Sequence, residues 1–241
     1  MALDKKTVLI TGSTRGLGLK FAEKYVELGW NVIGAARDLQ NAEQLRALSP
    51  YTIVQLDIAD EESITKAAKH LASESIDLLI NNAGIGIDGD LVTTMKSDML
   101  KQFEVNSVGP FLVTRAFLPH LKSAVAKNGA ASVVQMSSQV GSVQLSNGGM
   151  YGYRVSKAAL NMVNATLASD LRHDKIGAFV VHPGLVKTDM TKGVDEITID
   201  GLVIRPITTE ESVRGLIRVI ESFSLEKSGA FVDYTGESIP W

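Results

Sequence analysis

Short apolar runs alternate with longer amphipathic stretches along almost the whole chain. The short runs fall at residues 7–11, 31–35, 52–56, 77–80, 132–136, 178–181 and 230–233, and each predicts a β-strand. Several are continuous rather than alternating, as in Val8-Leu9-Ile10, Leu78-Leu79-Ile80 and Phe179-Val180-Val181. A strand buried on both faces needs that pattern, as in a parallel sheet covered by helices. Between the runs, apolar residues recur at helical spacing. Residues 17–28 set Leu17, Phe21, Tyr25 and Leu28 on one stripe, and residues 152–172 do the same with Val155, Ala159, Met162, Val163 and Leu167. A longer helix is predicted over 99–126. Thr208-Thr209-Glu210-Glu211 after Pro206 reads as a capping box opening a last helix that runs to residue 223.

Repeated strand–helix–strand units with right-handed crossovers give an α/β fold, a Rossmann-type doubly wound parallel sheet of about seven strands. Residues 1–241 form a single domain in this reading, since no linker, repeat or low-complexity tract interrupts the rhythm. The exception is 190–205, an excursion over the top of the sheet. Composition narrows the function. The chain has no cysteine, which excludes a disulfide scaffold, a thiolate nucleophile and a zinc–thiolate site. Its 24 basic and 27 acidic residues give a net charge of −3, without a basic cluster for nucleic acid or an anionic membrane. Four histidines (His70, His120, His173, His182) lack metal-ligand spacing, so no metal site is expected. No apolar run has membrane length, and the expectation is a soluble cytoplasmic protein.

The first strand runs into Thr11-Gly12-Ser13-Thr14-Arg15-Gly16-Leu17-Gly18, and a helix follows. Glycines there permit a tight turn and close backbone approach. The helix N-terminus then turns free N–H groups and a positive dipole end on an anion such as a pyrophosphate. A helix packed close on its strand is the competing reading, and the position after the first strand favours the nucleotide. The spacing is Gly-x-x-x-Gly-x-Gly, and at this point the chain resembles the short-chain dehydrogenase/reductase family. In that family NAD-preferring members tend to carry an acidic residue at the end of the second strand. This chain has Ala35-Ala36-Arg37. Arg37 can fork onto a 2′-phosphate, with Arg15 in the adjacent turn, so NADP (NADPH) is expected rather than NAD. Asp38 is the counter-argument, since one step of register would bring its carboxylate to the ribose. Its other reading is the N-cap of a helix over 39–48.

Three further segments carry the resemblance. Leu56-Asp57-Ile58 is similar to the family's adenine pocket, which makes Asp57 and Ile58 candidates, although an Asp at a strand end is also a turn former. Asn81-Asn82-Ala83-Gly84 matches the family's Asn-Asn-Ala-Gly signature and adds Asn82, Ala83 and Gly84; amides and a glycine there also satisfy loop backbone. Pro183-Gly184-Leu185-Val186-Lys187-Thr188 resembles the segment that grips the nicotinamide carboxamide, through the Val186 backbone and the Thr188 hydroxyl.

Tyr153-Arg154-Val155-Ser156-Lys157 puts a phenol and an ammonium on one helical face, after a strand whose end carries Ser137-Ser138. A free phenol has a pKa of about 10, too high for efficient proton exchange near neutrality. An ammonium ~4 Å away at an effective dielectric of ~20 is worth about 4 kcal/mol to the phenolate. That would bring the phenol down by roughly three pH units, so Lys157 is expected to make Tyr153 a usable acid–base group. The resemblance implies the remaining roles. Tyr153 protonates the substrate carbonyl oxygen, Ser138 hydrogen-bonds that oxygen, and Lys157 also holds the nicotinamide ribose. Asn106, in the middle of the 99–126 helix, matches the asparagine that supports a proton-relay water. Ser138 and Tyr153 are 15 positions apart, more than in many family members. Tyr151 sits at the common distance, but its i+4 residue is Val155, and extra residues in the 143–150 loop reconcile the spacing with Tyr153.

The run Asn147-Gly148-Gly149-Met150-Tyr151-Gly152-Tyr153-Arg154-Val155-Ser156-Lys157-Ala158-Ala159-Leu160-Asn161 looks like the branch of C-factor-like proteins and small carbonyl reductases. His182-Pro183-Gly184 and Lys187-Thr188-Asp189-Met190 fit that branch too. The resemblance implies an NADP(H)-dependent oxidoreductase acting between a carbonyl and an alcohol. Ile85, Ile87, Leu145, Met150, Leu185 and Met190 would line a pocket for an apolar or aromatic aldehyde or ketone, or serve as ordinary core. The C-factor likeness carries a rival, a dinucleotide-binding signalling or regulatory protein with little or no turnover. NAD-dependent alcohol oxidation is a third reading. By analogy with the family, helices 99–126 and 152–172 would pair subunits into a homodimer or homotetramer.

Overall fold

The computed structural model describes residues 5–199 and 202–241. Every apolar run of the sequence lies in one parallel sheet, made of β1 (Thr7–Thr11), β2 (Asn31–Ala36), β3 (Thr52–Gln55), β4 (Leu78–Asn81), β5 (Ala131–Met136), β6 (Ile176–His182) and β9 (Phe231–Asp233). Between the last two, β7 (Ile197–Ile199) and β8 (Leu202–Ile204) pair antiparallel outside the sheet. The spatial order is β3-β2-β1-β4-β5-β6-β9. Strand order reverses between β1 and β4, and doubly wound sheets take their ligands in the crevice at the carboxyl ends of the strands at such a point.

Side chains alternate between two helical layers because the strands are covered on both faces. Val8 and Ile10 of β1 pack with Phe21 and Tyr25 of α1 (Gly16–Glu27), in the cluster that also holds Leu45 of α2 (Glu43–Ala47). Leu9 enters the opposite cluster, with Ile64 of α3 (Glu61–His70) and Phe117 and Leu121 of α5 (Gly109–Asn128). Between α3 and α5 lies α4 (Lys96–Phe103); α6 (Tyr151–Asp170) follows β5, and α7 (Thr209–Glu221) returns Val213 and Leu216 to the first layer. Each such fully buried side chain contributes roughly 1.5–3 kcal/mol. The capping box is present: Thr208 Oγ1 accepts from Glu211 N at 3.1 Å, and Thr208 N donates to Glu211 Oε2 at 2.8 Å.

Three elements differ from the sequence expectation. The single helix over 99–126 is two helices joined by a π-helical turn, Glu104–Val108. Just after it Gly109 passes close to the Ile58 backbone, where a Cβ would stand 2.6 Å from the carbonyl oxygen. Pro110 follows, with no N–H to continue the ladder. The helix expected over 39–48 breaks into a 3-10 turn, Leu39–Asn41, and the short α2. The 190–205 excursion contains the β7–β8 hairpin, with Ile197 opposite Ile204 and Thr198 opposite Val203.

Candidate active site

β1 delivers the chain into the glycine turn at the switch point. Gly12 has φ +64° and Gly16 has φ +55°, the left-handed region that favours glycine. A Cβ on Gly18 would run into the Gly12 carbonyl oxygen, so the first turn of α1 closes on this loop only without a side chain. Asn82 Nδ2 donates to the carbonyls of Thr11 at 2.9 Å and Gly12 at 3.2 Å. Thr11 Oγ1 in turn accepts from the backbone N–H groups of Asn82 at 3.0 Å and Ala83 at 3.1 Å. Ser13, fully buried, donates through Oγ to Ala35 O at 3.1 Å. Leu17 packs against the core. The side chains of Ser13, Leu17 and Asn82 therefore shape the turn, and the surface it offers is backbone.

That surface fits a pyrophosphate. No side chain caps α1 and no acidic residue stands in its first turn. The opening N–H groups of α1 are thus left to an anion. Thr14 is half-buried in the same turn. Arg15 is turned away: its Nη1 pairs with Asp189 Oδ2 at 2.9 Å, both side chains being largely exposed. Such a pair is weak and can yield to a phosphate.

Farther along the crevice, Arg37 is exposed just past β2. Asp38, the next residue, is bound into its own turn. Its Oδ1 accepts from Gln40 N at 2.9 Å and its Oδ2 from Asn41 Nδ2 at 2.7 Å, which makes it a cap. Asp57 Oδ1 accepts from Ala59 N at 3.0 Å and forms a turn, and Ile58 is buried beside it. From β3 to β5 the sheet takes four steps of about 4.8 Å, roughly 19 Å.

At the other end, α6 lifts Tyr153 and Lys157 into the crevice. Lys157 is 5% exposed, and its Nζ donates to the Met136 carbonyl at 2.8 Å. Nζ lies 5.6 Å over the centroid of the Tyr153 ring. Gly84 approaches both partners of the pocket: a Cβ there would be 3.1 Å from Asn106 Oδ1 and 3.6 Å from Lys157 Nζ. Tyr151, the alternative tyrosine, sits exposed at the first position of α6, and its i+4 neighbour Val155 is exposed as well.

One sequence expectation is corrected here. Lys157 was expected to lower the Tyr153 pKa. Instead burial pushes the phenol up to about 12, opposed only by a hydrogen bond with the Ser138 hydroxyl. Burial likewise pushes the Lys157 ammonium down to about 8. Desolvation dominates both groups because no charge compensates either one at this spacing. The Asn106 side chain is tied to protein groups at both its ends. Its Nδ2 donates to Ile85 O at 2.8 Å and Ser156 Oγ at 3.0 Å, and its Oδ1 accepts from Ile85 N at 2.9 Å.

The sequence reading missed some residues that build the site. Gln102, 1% exposed, accepts from Ile87 N at 2.8 Å through Oε1, and a Cβ on Gly152 would strike its Nε2. With Asn106 it forms an i, i+4 pair of amides on the buried face of the helix, a signal visible in the sequence. Ser156 Oγ donates to Tyr153 O at 2.7 Å and receives Asn106. Ser138 lies half-buried at the start of a 3-10 turn, where its Oγ accepts from Val140 N at 3.4 Å.

The 183–188 segment closes the crevice. Ser212 Oγ donates to Pro183 O at 2.6 Å. Gly184, at φ +84°, lies against Tyr234 and Ile207. Val186 bridges Ile207, and Thr188 N donates to Thr191 Oγ1 at 3.1 Å. Met190 reaches back over Gly86, where a Cβ would meet its Sδ at 3.5 Å and Tyr153 Cδ2 at 3.9 Å. His182 is held neutral, since burial pushes its pKa down to about 4 against the pull of Asp233.

A doubly wound sheet with this strand order and a Tyr–Lys pair past its switch point defines a class, the dinucleotide-linked oxidoreductases. Residues 6–198 match the family model described as short chain dehydrogenase. The chain belongs to the short-chain dehydrogenase/reductase family and is an oxidoreductase. It is 38% identical over 176 residues to the C-signal of Myxococcus xanthus, a match covering 72% of this chain and 98% of that protein. An NADPH-bound carbonyl reductase from chicken fatty liver superposes with a TM-score of 0.87 at 33% identity, covering 99% of this chain and 100% of the other. The carbonyl reductase Sniffer of D. melanogaster superposes with a TM-score of 0.89 at 29% identity, over 98% of this chain and all (100%) of that one. Among the described residues, no helix is long and apolar enough to cross a membrane.

Proposed function

We propose that this chain is an NADP(H)-dependent carbonyl reductase acting on apolar or aromatic aldehydes and ketones. The observation that carries the reading is Lys157. One of its three N–H donors meets Met136 O, and the buried ammonium has two more to offer a ribose diol beside Tyr153. Arg37, exposed at the end of β2 while Asp38 is committed to its own turn, supports NADP over NAD. The backbone of Gly12–Gly18, with Asp57, Ile58, Ala83 and Gly84 along the crevice and Val186 and Thr188 at its far end, would hold the dinucleotide.

When bound, NADPH supplies the hydride. Ser138 Oγ donates a hydrogen bond to the substrate carbonyl oxygen and orients it. Tyr153, whose pKa of about 12 keeps it protonated at neutral pH, delivers the proton to that oxygen. Lys157 stabilises the phenolate that remains, and Asn106 holds Ile85 and Ser156 in place behind the pair. Ile85, Ile87 and Leu185, with Met190 reaching over Gly86, favour an apolar substrate over a charged one.

Oxidation of NADPH and of NADH against aromatic aldehydes, quinones and diketones tests the reading, with Tyr153→Phe run in parallel. NADPH-preferring turnover that the variant loses while it still binds cofactor supports it. Tight NADPH binding without turnover on any carbonyl would favour the second reading, a signalling protein, which the likeness to C-signal supports. The exposed Leu100, Phe103, Val155 and Met162 on α4 and α6 suit subunit pairing as a homodimer or homotetramer, measurable by light scattering.

A further inference from the structure

We propose that Arg154 is a positioning residue that holds the 142–150 loop as a preformed wall of the substrate cleft. The proposal rests on the carbonyl reductase reading above. Arg154 stands in the first turn of α6, next to Tyr153. Its Nε donates to Gly149 O at 3.1 Å, its Nη1 to Val140 O at 3.3 Å, and its Nη2 to Asn147 Oδ1. One planar fork therefore fastens the start, the tip and the end of the segment joining Ser138 to Tyr153. Hydrogen bonds from a cation are stronger than neutral ones, and a guanidinium presents them in fixed directions that an ammonium cannot copy.

The loop needs such a restraint. Gly148, Gly149 and Met150 follow one another at φ +88°, +67° and +50°. A Cβ at either glycine would meet nothing within 4 Å, so packing does not hold this stretch. Consecutive glycines lose the most conformational freedom on ordering. Two backbone ties complete the frame: Met150 N donates to Gly89 O at 2.9 Å, and Gln144 N to Trp241 O at 3.1 Å. The first links the loop to the stretch that passes Tyr153 at Gly86. Val143, Leu145 and Met150 are exposed apolar side chains on the loop.

The test is amide hydrogen exchange on the full chain with saturating NADPH, for wild type, Arg154→Ala and Arg154→Lys. It is paired with kcat and KM for a bulky aromatic ketone and a small aliphatic aldehyde. In both variants, exchange over 141–150 should rise by about tenfold or more while the glycine turn keeps its wild-type rates. The ratio of kcat/KM between the two substrates should shift by about fivefold or more, chiefly through KM. Wild-type exchange in the loop of Arg154→Ala overturns the clamp, as does Arg154→Lys behaving like wild type. Faster exchange with an unchanged substrate ratio overturns the wall. If wild type reduces no carbonyl at all, the reductase reading and the selectivity claim fall together, and the exchange data decide the clamp alone. Should Arg154→Ala fail to fold, Arg154→Lys provides both readouts.

Discussion

The Nζ of Lys157 stands 5.6 Å over the ring of Tyr153 and donates to the Met136 carbonyl at 2.8 Å. A buried cation thus lies beside a partly buried phenol, and desolvation is the largest influence on each. Burial holds the ammonium near 8 and the phenol near 12, so the free site keeps its proton on the tyrosine.

That depressed lysine makes stability depend on pH. Between about pH 8 and 10.5 the unfolded chain binds a proton at Lys157 that the folded chain does not. Stability from this group therefore rises with pH across that window, and below it a penalty on the order of a few kcal/mol is fully present. Tyr153 acts in the opposite sense only above about pH 10, where the folded chain retains its proton. Urea unfolding of the cofactor-free protein from about pH 7.5 to 10 should show the rise, and Lys157→Met should flatten it. An equal slope in the variant would refute the assignment.

Tyr153→Phe removes the proton donor and little else. Loss of kcat by about 10³-fold is expected, within the range positioned acid–base groups supply. Cofactor affinity, measured by protein fluorescence quenching, should stay within about threefold, because Arg37 and the glycine turn are untouched.

Arg37→Ala tests the nucleotide choice. Loss of a charged hydrogen-bond donor to a phosphate should weaken NADPH binding by about 10–100-fold and leave NADH nearly unchanged. Calorimetric titration with both nucleotides decides it, and an equal loss for the two would remove Arg37 from the 2′-phosphate.

Gly18→Ala drives a methyl into the Gly12 carbonyl. The expected cost is about 1–3 kcal/mol, seen as a lower denaturation midpoint, together with weaker NADPH binding as the turn deforms. A variant of wild-type stability would show that the turn has room the geometry denies.

Asn106 and Ile85 bear on how much the sequence alone could tell. The seven apolar runs became strands within one or two residues of their expected ends, and the Thr208–Glu211 box capped its helix. Both signals are local: a strand covered on two faces must be apolar throughout, and a cap lies within one turn of the groups it satisfies. The same is true of the glycine turn and of the Tyr–Lys pair on one helical face. The β7–β8 hairpin also had a local signal, Asp200-Gly201 between Ile197-Thr198-Ile199 and Leu202-Val203-Ile204, which the helical rhythm of the chain obscured.

What the tertiary structure alone decided lies between residues distant in sequence. The π-helical turn carries Asn106 to the backbone of Ile85, and Gly109 beyond it fits under the Ile58 carbonyl. Asp38 became a cap, Arg15 paired with Asp189, and Arg154 gathered Val140, Asn147 and Gly149. Tyr153 moved up in pKa rather than down because desolvation outweighs its hydrogen bond with Ser138. Periodicity is a property of neighbours along the chain and determines which residues are buried. Desolvation and hydrogen-bond partnership belong to the packed interior, and they decide what the buried residues can do.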